Sequence, residues 1–395
     1  MLNEKMIALG TARSEIRELF EYGKTLGERI GRENVFDFTL GNPSVPCPDE
    51  VNDYICHLVS SEPLTAHSYT SSQGARETIE AVCLAYHKKT GFALDPDLTY
   101  MTCGAAAGLA VCLRAICGGT GDKVVALAPF FPEYRVFAEN AGASLVSAGF
   151  CEDTFEVDID SLARVIDPSV QAVIINSPNN PSGAVYRRET LAQISDLLHR
   201  KSAEYGHPIY AVVDEPYREI LFDGAEACPM TALYDDVVLC YSYSKALSVP
   251  GERIGYLSVS PKATDANRLF AAIMGAGRSL GYVCAPSLFQ KVVARYPDLT
   301  VDVTPYLINR DLLCKHLQSL GFDCKVPRGA FYLFVKSPTG SGRELSELAK
   351  TMGLLLVPGD SFGASAFVRI ATCVSLDVVE RSLPVFTRLA DALKK

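Results

Sequence analysis

From about Thr102 to Ser260 the chain carries short apolar runs: VVALA (124–128), AVIIN (172–176), IYAVVD (209–214), VVLCYS (237–242) and IGYLSV (254–259). Such runs, without strict alternation, suit strands buried on both faces, which requires a sheet covered by helices. Between two of them, Leu191, Ile194, Leu197 and Leu198 fall on one stripe of the segment 187–205, with Arg187, Arg188 and Arg200 elsewhere. That is an amphipathic crossover helix, and the succession predicts an α/β layer architecture. After about residue 285 the texture changes. Helical segments at 285–296, 306–319 and 342–351 interleave with FYLFV (331–335), LLLV (354–357) and FVRIA (367–371), which predicts a smaller α+β unit. Asp377 followed by Glu380 resembles a capping box for a last helix toward Leu393, with Pro384 either kinking it or marking its start. Near the N-terminus Ile16, Leu19 and Phe20 share one face of a predicted helix that packs on something later in the chain.

Composition narrows the function. The 395 residues are 48% hydrophobic and 21% charged, ordinary globular usage. With 37 basic against 46 acidic residues the net charge is −9, which argues against nucleic-acid or anionic-membrane partners and for a small molecule. There are no internal repeats and no stretch approaching the ~18 apolar residues of a membrane span. Thirteen cysteines occur without a C-x-x-C, many of them (Cys83, Cys112, Cys117, Cys240, Cys314) in apolar stretches, as expected of reduced core thiols. MLNEKMIALG has no basic segment leading into an apolar one, so the expectation is a cytoplasmic protein.

Four segments could carry chemistry. In YSYSKALSVPGERIGY (241–256) a buried-type strand ends in Ser242, Ser244 and Lys245, with Arg253 eight residues on. Lys245 is either a strand-end cation that snorkels to solvent or an amine held where α/β ligand sites form, able to make a Schiff base. In VVDEPYREI (212–220), Asp214 closes another strand and Tyr217 follows. Asp214 either caps a turn or pairs with a heterocyclic nitrogen and keeps it protonated. INSPNNPSGAVY (175–186) is a turn that could aim Asn179 or Asn180 into the same crevice. MTCGAAAGLAVCLRAI (101–116) is a strand end, a glycine and small residues opening a helix, either for close packing or for phosphate on its N–H groups. No G-x-G-x-x-G follows a strand, no H-E-x-x-H marks a zinc site, and no G-x-S-x-G elbow is present. No metal is expected.

Taken in order, Gly104, Asn180, Asp214, Tyr217, Ser242, Lys245, Arg253 and Arg369 resemble the class I/II aminotransferases, pyridoxal-phosphate enzymes of fold type I. The resemblance runs from LGNPSV (40–45) and HSYTSSQG (67–74) through SPNNPSG, DEPY and SYSK to FVRIA. It implies a large domain over 46–285 with a mostly parallel, helix-covered sheet that binds pyridoxal 5'-phosphate. A small α+β domain would be built from 1–45 with 286–395. Lys245 would hold the cofactor as a Schiff base and act as the base, Asp214 would keep the ring nitrogen protonated, and Tyr217 and Asn180 would bond the ring oxygen. The phosphate would rest on Gly104, Ala105 and Ala106, with Ser242, Ser244, Arg253 and a neighbouring subunit's Tyr69. Phe131 would stack on the ring. Arg369 would take the substrate carboxylate, aided by Gly41 and Asn180. A homodimer with shared active sites is thereby implied.

Two departures bear on specificity. Ala105, Ala106 and Ala107 stand where many relatives carry hydroxyl or basic residues, so phosphate binding there would be by backbone alone. The lysine that some relatives use for a distal carboxylate is missing, leaving Arg278 and Arg13 either as its replacements or as surface arginines. The expected activity is transfer of an amino group between an L-amino acid and a 2-oxo acid. The alternatives are β-elimination at a C–S bond or other carbanion chemistry on the same cofactor and, more remotely, a non-catalytic cofactor-binding regulator. A nicotinamide oxidoreductase lacks its glycine fingerprint.

Overall fold

The computed structural model describes residues 2–11 and 14–394. Its strands, in chain order, are β1 (Phe36–Asp37), β2 (Thr99–Thr102), β3 (Lys123–Leu127), β4 (Ser144–Ala148), β5 (Val170–Asn176), β6 (Tyr210–Asp214), β7 (Val237–Ser242) and β8 (Gly255–Val259). After them come β9 (Asp323–Cys324), β10 (Tyr332–Lys336), β11 (Leu354–Leu355), β12 (Val357–Pro358) and β13 (Phe367–Ala371). Seven strands form the large sheet in the order β2-β8-β7-β6-β5-β3-β4. The pairs from β4 through β7 are parallel, and β8 lies antiparallel between β7 and β2. The α/β expectation holds. β2 and β4 lay outside the five runs; Ser144 and Ser147 of β4 are exposed on the edge of the sheet, and an edge strand needs no continuous apolar run.

Alternation sorts the central strands onto two cores, because successive side chains point to opposite faces. Val125, Val173, Val213 and Leu239 enter one cluster; Val124, Ile174, Val212 and Val238 enter the other. Helix Arg188–Tyr205 covers the first face, burying Leu191, Ile194, Leu197 and Leu198, each contributing about 1.5–3 kcal/mol on the area-transfer scale. It ends at Gly206, in the left-handed conformation at φ +74°, which glycine adopts without steric cost.

The smaller unit has a four-stranded antiparallel sheet, β12-β13-β10-β9, and a separate parallel pair, β1 with β11. LLLV is therefore not one strand: it divides at Leu356 between two sheets. The last helix, Leu376–Leu393, runs through Pro384 and is capped by Ser375, whose side chain accepts from the Val378 N–H; the Asp377–Glu380 box does not start it. Helix Glu15–Ile30 buries Leu19 beside Phe334, Val357 and Phe362, residues more than 300 positions later. The expected boundary at residue 285 falls ahead of helix Ser287–Arg295, whose Phe289, Val292 and Val293 pack with Ile79 and Val82 in the large-sheet core. Among the described residues no helix is long and apolar enough to cross a membrane.

Because Leu198 is fully enclosed under the sheet, Leu198→Ala is expected to cost about 2–5 kcal/mol of stability, read as a lower urea midpoint. An unchanged midpoint would show that this helix does not share the cooperative core.

Candidate active site

The parallel strands all end on one edge of the large sheet, where ligand crevices of α/β sheets form. Asn176 ends β5, Asp214 ends β6 and Ser242 ends β7, and the turn Tyr243–Ala246 carries Lys245 directly beyond. Asn176 ties two segments together: its amide donates to the Asp214 carbonyl at 2.8 Å and its Oδ1 accepts from the Asn180 N–H at 2.8 Å. From the smaller unit, β13 brings Arg369 and β10 brings Tyr332. A cavity of about 280 Å³ opens between them, lined by Gly41, Ala105, Ala106, Phe131, Asn180, Asp214, Tyr217, Ser242, Ser244, Lys245, Arg253 and Arg369, together with Ile16, Leu40, Asn176 and Tyr332.

The Lys245 amine donates to the Gly41 carbonyl at 2.6 Å. Burial, reinforced by Arg253 and Arg369, pushes its pKa down to about 8, so a reactive fraction of neutral amine exists near neutrality. Asp214 is buried, and one of its oxygens, Oδ2, accepts from the Tyr134 hydroxyl at 2.6 Å. Its Oδ1 has no partner among the described residues. Burial pushes the carboxyl up to about 7, Tyr134 acting against the shift and Glu215 adding to it. Tyr217 shares a 2.8 Å hydrogen bond with Tyr332, and burial holds its hydroxyl well above the ordinary tyrosine value.

Gly104 caps helix Ala105–Ile116 at φ +81°, and a side-chain carbon there would lie 2.8 Å from the Arg253 guanidinium. Glycine lets Arg253 approach the first-turn N–H groups, which have no acceptor inside the helix. Arg253 donates to the Pro250 carbonyl at 2.9 Å and to Ser244 Oγ at 3.4 Å, and Ser244 Oγ lies 2.7 Å from Ser242 Oγ. The opening of the helix thus concentrates positive potential and hydrogen-bond donors, the makings of an anion site.

Arg369 is 2% exposed. It donates to Asn180 Oδ1 at 3.0 Å and to the Thr39 carbonyl, and its guanidinium packs against the Tyr332 and Phe362 rings at 4.7 and 5.1 Å. Its Nε has no partner among the described residues. No carboxylate pairs with it among the described residues, so a buried cation faces the cavity with donor capacity to spare.

This arrangement matches a known family. The family model for aminotransferases of class I and II covers residues 33–384. The chain belongs to that family. An amino transferase of Eubacterium rectale has a solved structure that superposes with TM-score 0.98 at 46% identity, covering 100% of both chains. The aspartate/prephenate aminotransferase of Thermus thermophilus is 27% identical over 366 residues, 89% of this chain and 90% of that one. Aromatic-amino-acid aminotransferase 2 of Thermococcus litoralis is 26% identical and covers 94% of each. The protein is thus a pyridoxal-phosphate-dependent aminotransferase, working on an amino acid and a keto acid. The site fits that cofactor on its own evidence: a reactive amine, a buried carboxylate oxygen without a partner, and a glycine-opened helix start flanked by an arginine.

Most of the expected residues converge on the one cavity; Gly104 does not line it but caps the helix whose Ala105 and Ala106 do, and two others lie apart. Tyr69 is 93% exposed and Arg278 is exposed at the end of helix Ala266–Ser279; neither lines it. Arg13 lies outside the described residues. Cys103, beside Gly104, has its thiol pushed up by burial and is no activated nucleophile. The sequence reading passed over Tyr134, Asn176, Tyr332, Ile16 and Leu40. Asn176 was legible as the polar end of AVIIN, whereas Tyr134 and Tyr332 sit in segments whose pattern says only that they are buried.

The raised Asp214 pKa has a consequence in the cofactor-free protein. Between roughly pH 4 and 7 the folded state holds a proton that the unfolded chain has released, so stability falls as pH rises through that window. Asp214→Asn removes the effect. The cofactor-free variant is expected to gain on the parent by up to about 4 kcal/mol between pH 4 and 7, measured by urea unfolding at several pH values. Parallel curves for the two proteins would refute it.

Proposed function

We propose that the chain moves an amino group between an L-amino acid and a 2-oxo acid as a homodimer with shared sites, Lys245 holding pyridoxal phosphate covalently through its amine. The observation that carries this reading is the convergence of the Lys245 amine, the unpartnered Asp214 oxygen and the buried Arg369 guanidinium on one cavity. When bound, the cofactor supplies a carbonyl carbon for the substrate amine and a protonated ring that withdraws electrons from the substrate α-carbon. Asp214 keeps the ring nitrogen protonated by its opposite charge. Tyr217 and Asn180 bond the ring oxygen, and Phe131 packs on the ring.

The phosphate rests on the backbone of Gly104, Ala105 and Ala106, with Ser242, Ser244 and Arg253 adding donors and charge, and Tyr69 of the partner subunit completing the set. That assignment accounts for a tyrosine 93% exposed in the single chain. Arg369 clamps the substrate α-carboxylate, with Gly41 and Asn180 beside it. With the cofactor bound, Lys245 would serve as the base that takes the substrate α-proton and delivers it to the cofactor's carbonyl carbon rather than back to the α-carbon. Ile16 and Leu40 make the substrate side of the cavity apolar and limit water. Arg278 does not line the cavity of its own chain and has no ion-pair partner among the described residues; within a dimer of shared sites it is assigned to an acidic substrate side chain, and Arg13 is held as its second candidate. Thirteen unpaired cysteines suit a reducing cytoplasm.

A panel of half-reactions tests the assignment: each L-amino acid is added to the loaded enzyme and the cofactor absorbance followed. Lys245→Ala is expected to abolish turnover and the covalent link seen after borohydride reduction; transamination at the parent rate would sink the reading. If Arg278 reads an acidic side chain, Arg278→Ala loses about 10–100-fold in kcat/KM for aspartate or glutamate with neutral donors unchanged. Equal loss for both classes, or none, would discard that role. Pyruvate and ammonia formed from L-cystathionine would instead favour β-elimination.

A further inference from the structure

Tyr134 was not among the expected site residues, yet among the described residues it makes the one side-chain hydrogen bond to the Asp214 carboxylate, Oη to Oδ2 at 2.6 Å. Its ring is 1% exposed and stands edge-on to Phe131, centroids 5.7 Å apart at 86°. Phe131 and Asp214 both line the cavity; Tyr134 does not. The phenol therefore lies behind the carboxylate, clamped by packing, and leaves Oδ1 as the oxygen without a partner.

We propose that Tyr134 is a positioning residue for the cofactor: by pinning Oδ2 it fixes the plane of the Asp214 carboxylate and reserves Oδ1 for the ring nitrogen. The inference rests on the reading that Asp214 meets that nitrogen. Two other arrangements would serve the ring nitrogen less well. A carboxylate free to rotate about its last torsion would present either oxygen, and a carboxylate bonded at both oxygens would have none to offer. One bond from behind does neither. Burial and the neighbouring Asp214 charge also hold the Tyr134 hydroxyl well above its ordinary pKa, so it stays a donor throughout and takes no part in proton transfer. The same hydrogen bond favours the charged form of Asp214 against burial, the form that the ring nitrogen requires.

A double-mutant cycle on the full-length holoenzyme tests this. Tyr134→Phe keeps the ring and removes only the donor. It is expected to lower kcat about 10–100-fold, the range for one hydrogen bond to a charged group, with KM for the amino donor within about twofold. Cofactor affinity, titrated by fluorescence on the cofactor-free protein, should fall at least about fivefold, a fraction of the same range. Because Tyr134 acts through Asp214, its substitution should add nothing to Asp214→Asn. Additive losses in the double variant would overturn the proposal, since they would mark a separate structural role; so would an unchanged kcat and affinity in Tyr134→Phe. If Asp214→Asn itself leaves affinity and kcat intact, the underlying reading of Asp214 fails, and that outcome is distinct from failure at Tyr134 alone. Should Tyr134→Phe not fold, difluorotyrosine at position 134 keeps the shape and strengthens the donor. It should then shift cofactor affinity measurably; no shift would count against the proposal.

Discussion

A carboxyl group at the end of the middle strand of a buried sheet is the constraint around which this molecule is arranged. β6 has strands on both sides and apolar cores above and below, so Asp214 has almost no water to solvate its charge. Isolated, such a group takes up a proton. The surroundings counter this with the Tyr134 hydroxyl on one oxygen. They stop short of full satisfaction. Among the described residues the remaining oxygen has no partner, on a residue that lines the cavity, an opening that a hydrogen-bond donor entering from the cavity would fill.

The same logic applies to Lys245 and Arg369. Each is a cation withdrawn from water and held by neutral acceptors: the Gly41 carbonyl for one, the Thr39 carbonyl and Asn180 for the other. Neutral partners orient a charge without cancelling it, whereas a carboxylate would occupy the donors. Elsewhere the chain handles a buried arginine differently. Arg218 is ion-paired with Glu215 and Glu219 and packed against Tyr241, and its charge is consumed. The contrast separates an arginine matched by carboxylates from one that lines the cavity with an Nε unpartnered among the described residues.

Much of this was legible one residue at a time. β7 and β13 coincide with VVLCYS and with FVRIA, because an apolar run bounded by polar residues has little choice in a covered sheet. Lys245, Asp214 and Ser242 were marked by their anomaly, polar groups at the ends of such runs. Tyr332 was not, since a tyrosine inside FYLFV looks like core; only its partner across 115 residues, Tyr217, makes its hydroxyl part of the site. β11 and β12 were read as one strand because continuity of hydrophobicity carries no sign of a change of sheet.

By itself the amino-acid sequence determined the period of each element, the covered α/β layering and the identities of the reactive groups, because these follow from local sterics, hydrophobic pattern and side-chain chemistry. The tertiary structure decided which oxygen of Asp214 is spoken for, which arginine keeps its charge, and that Ile16 closes a cavity built some 200 residues later. Those are differences in solvation and distance, and they arise only when segments far apart in the chain exclude water from one another.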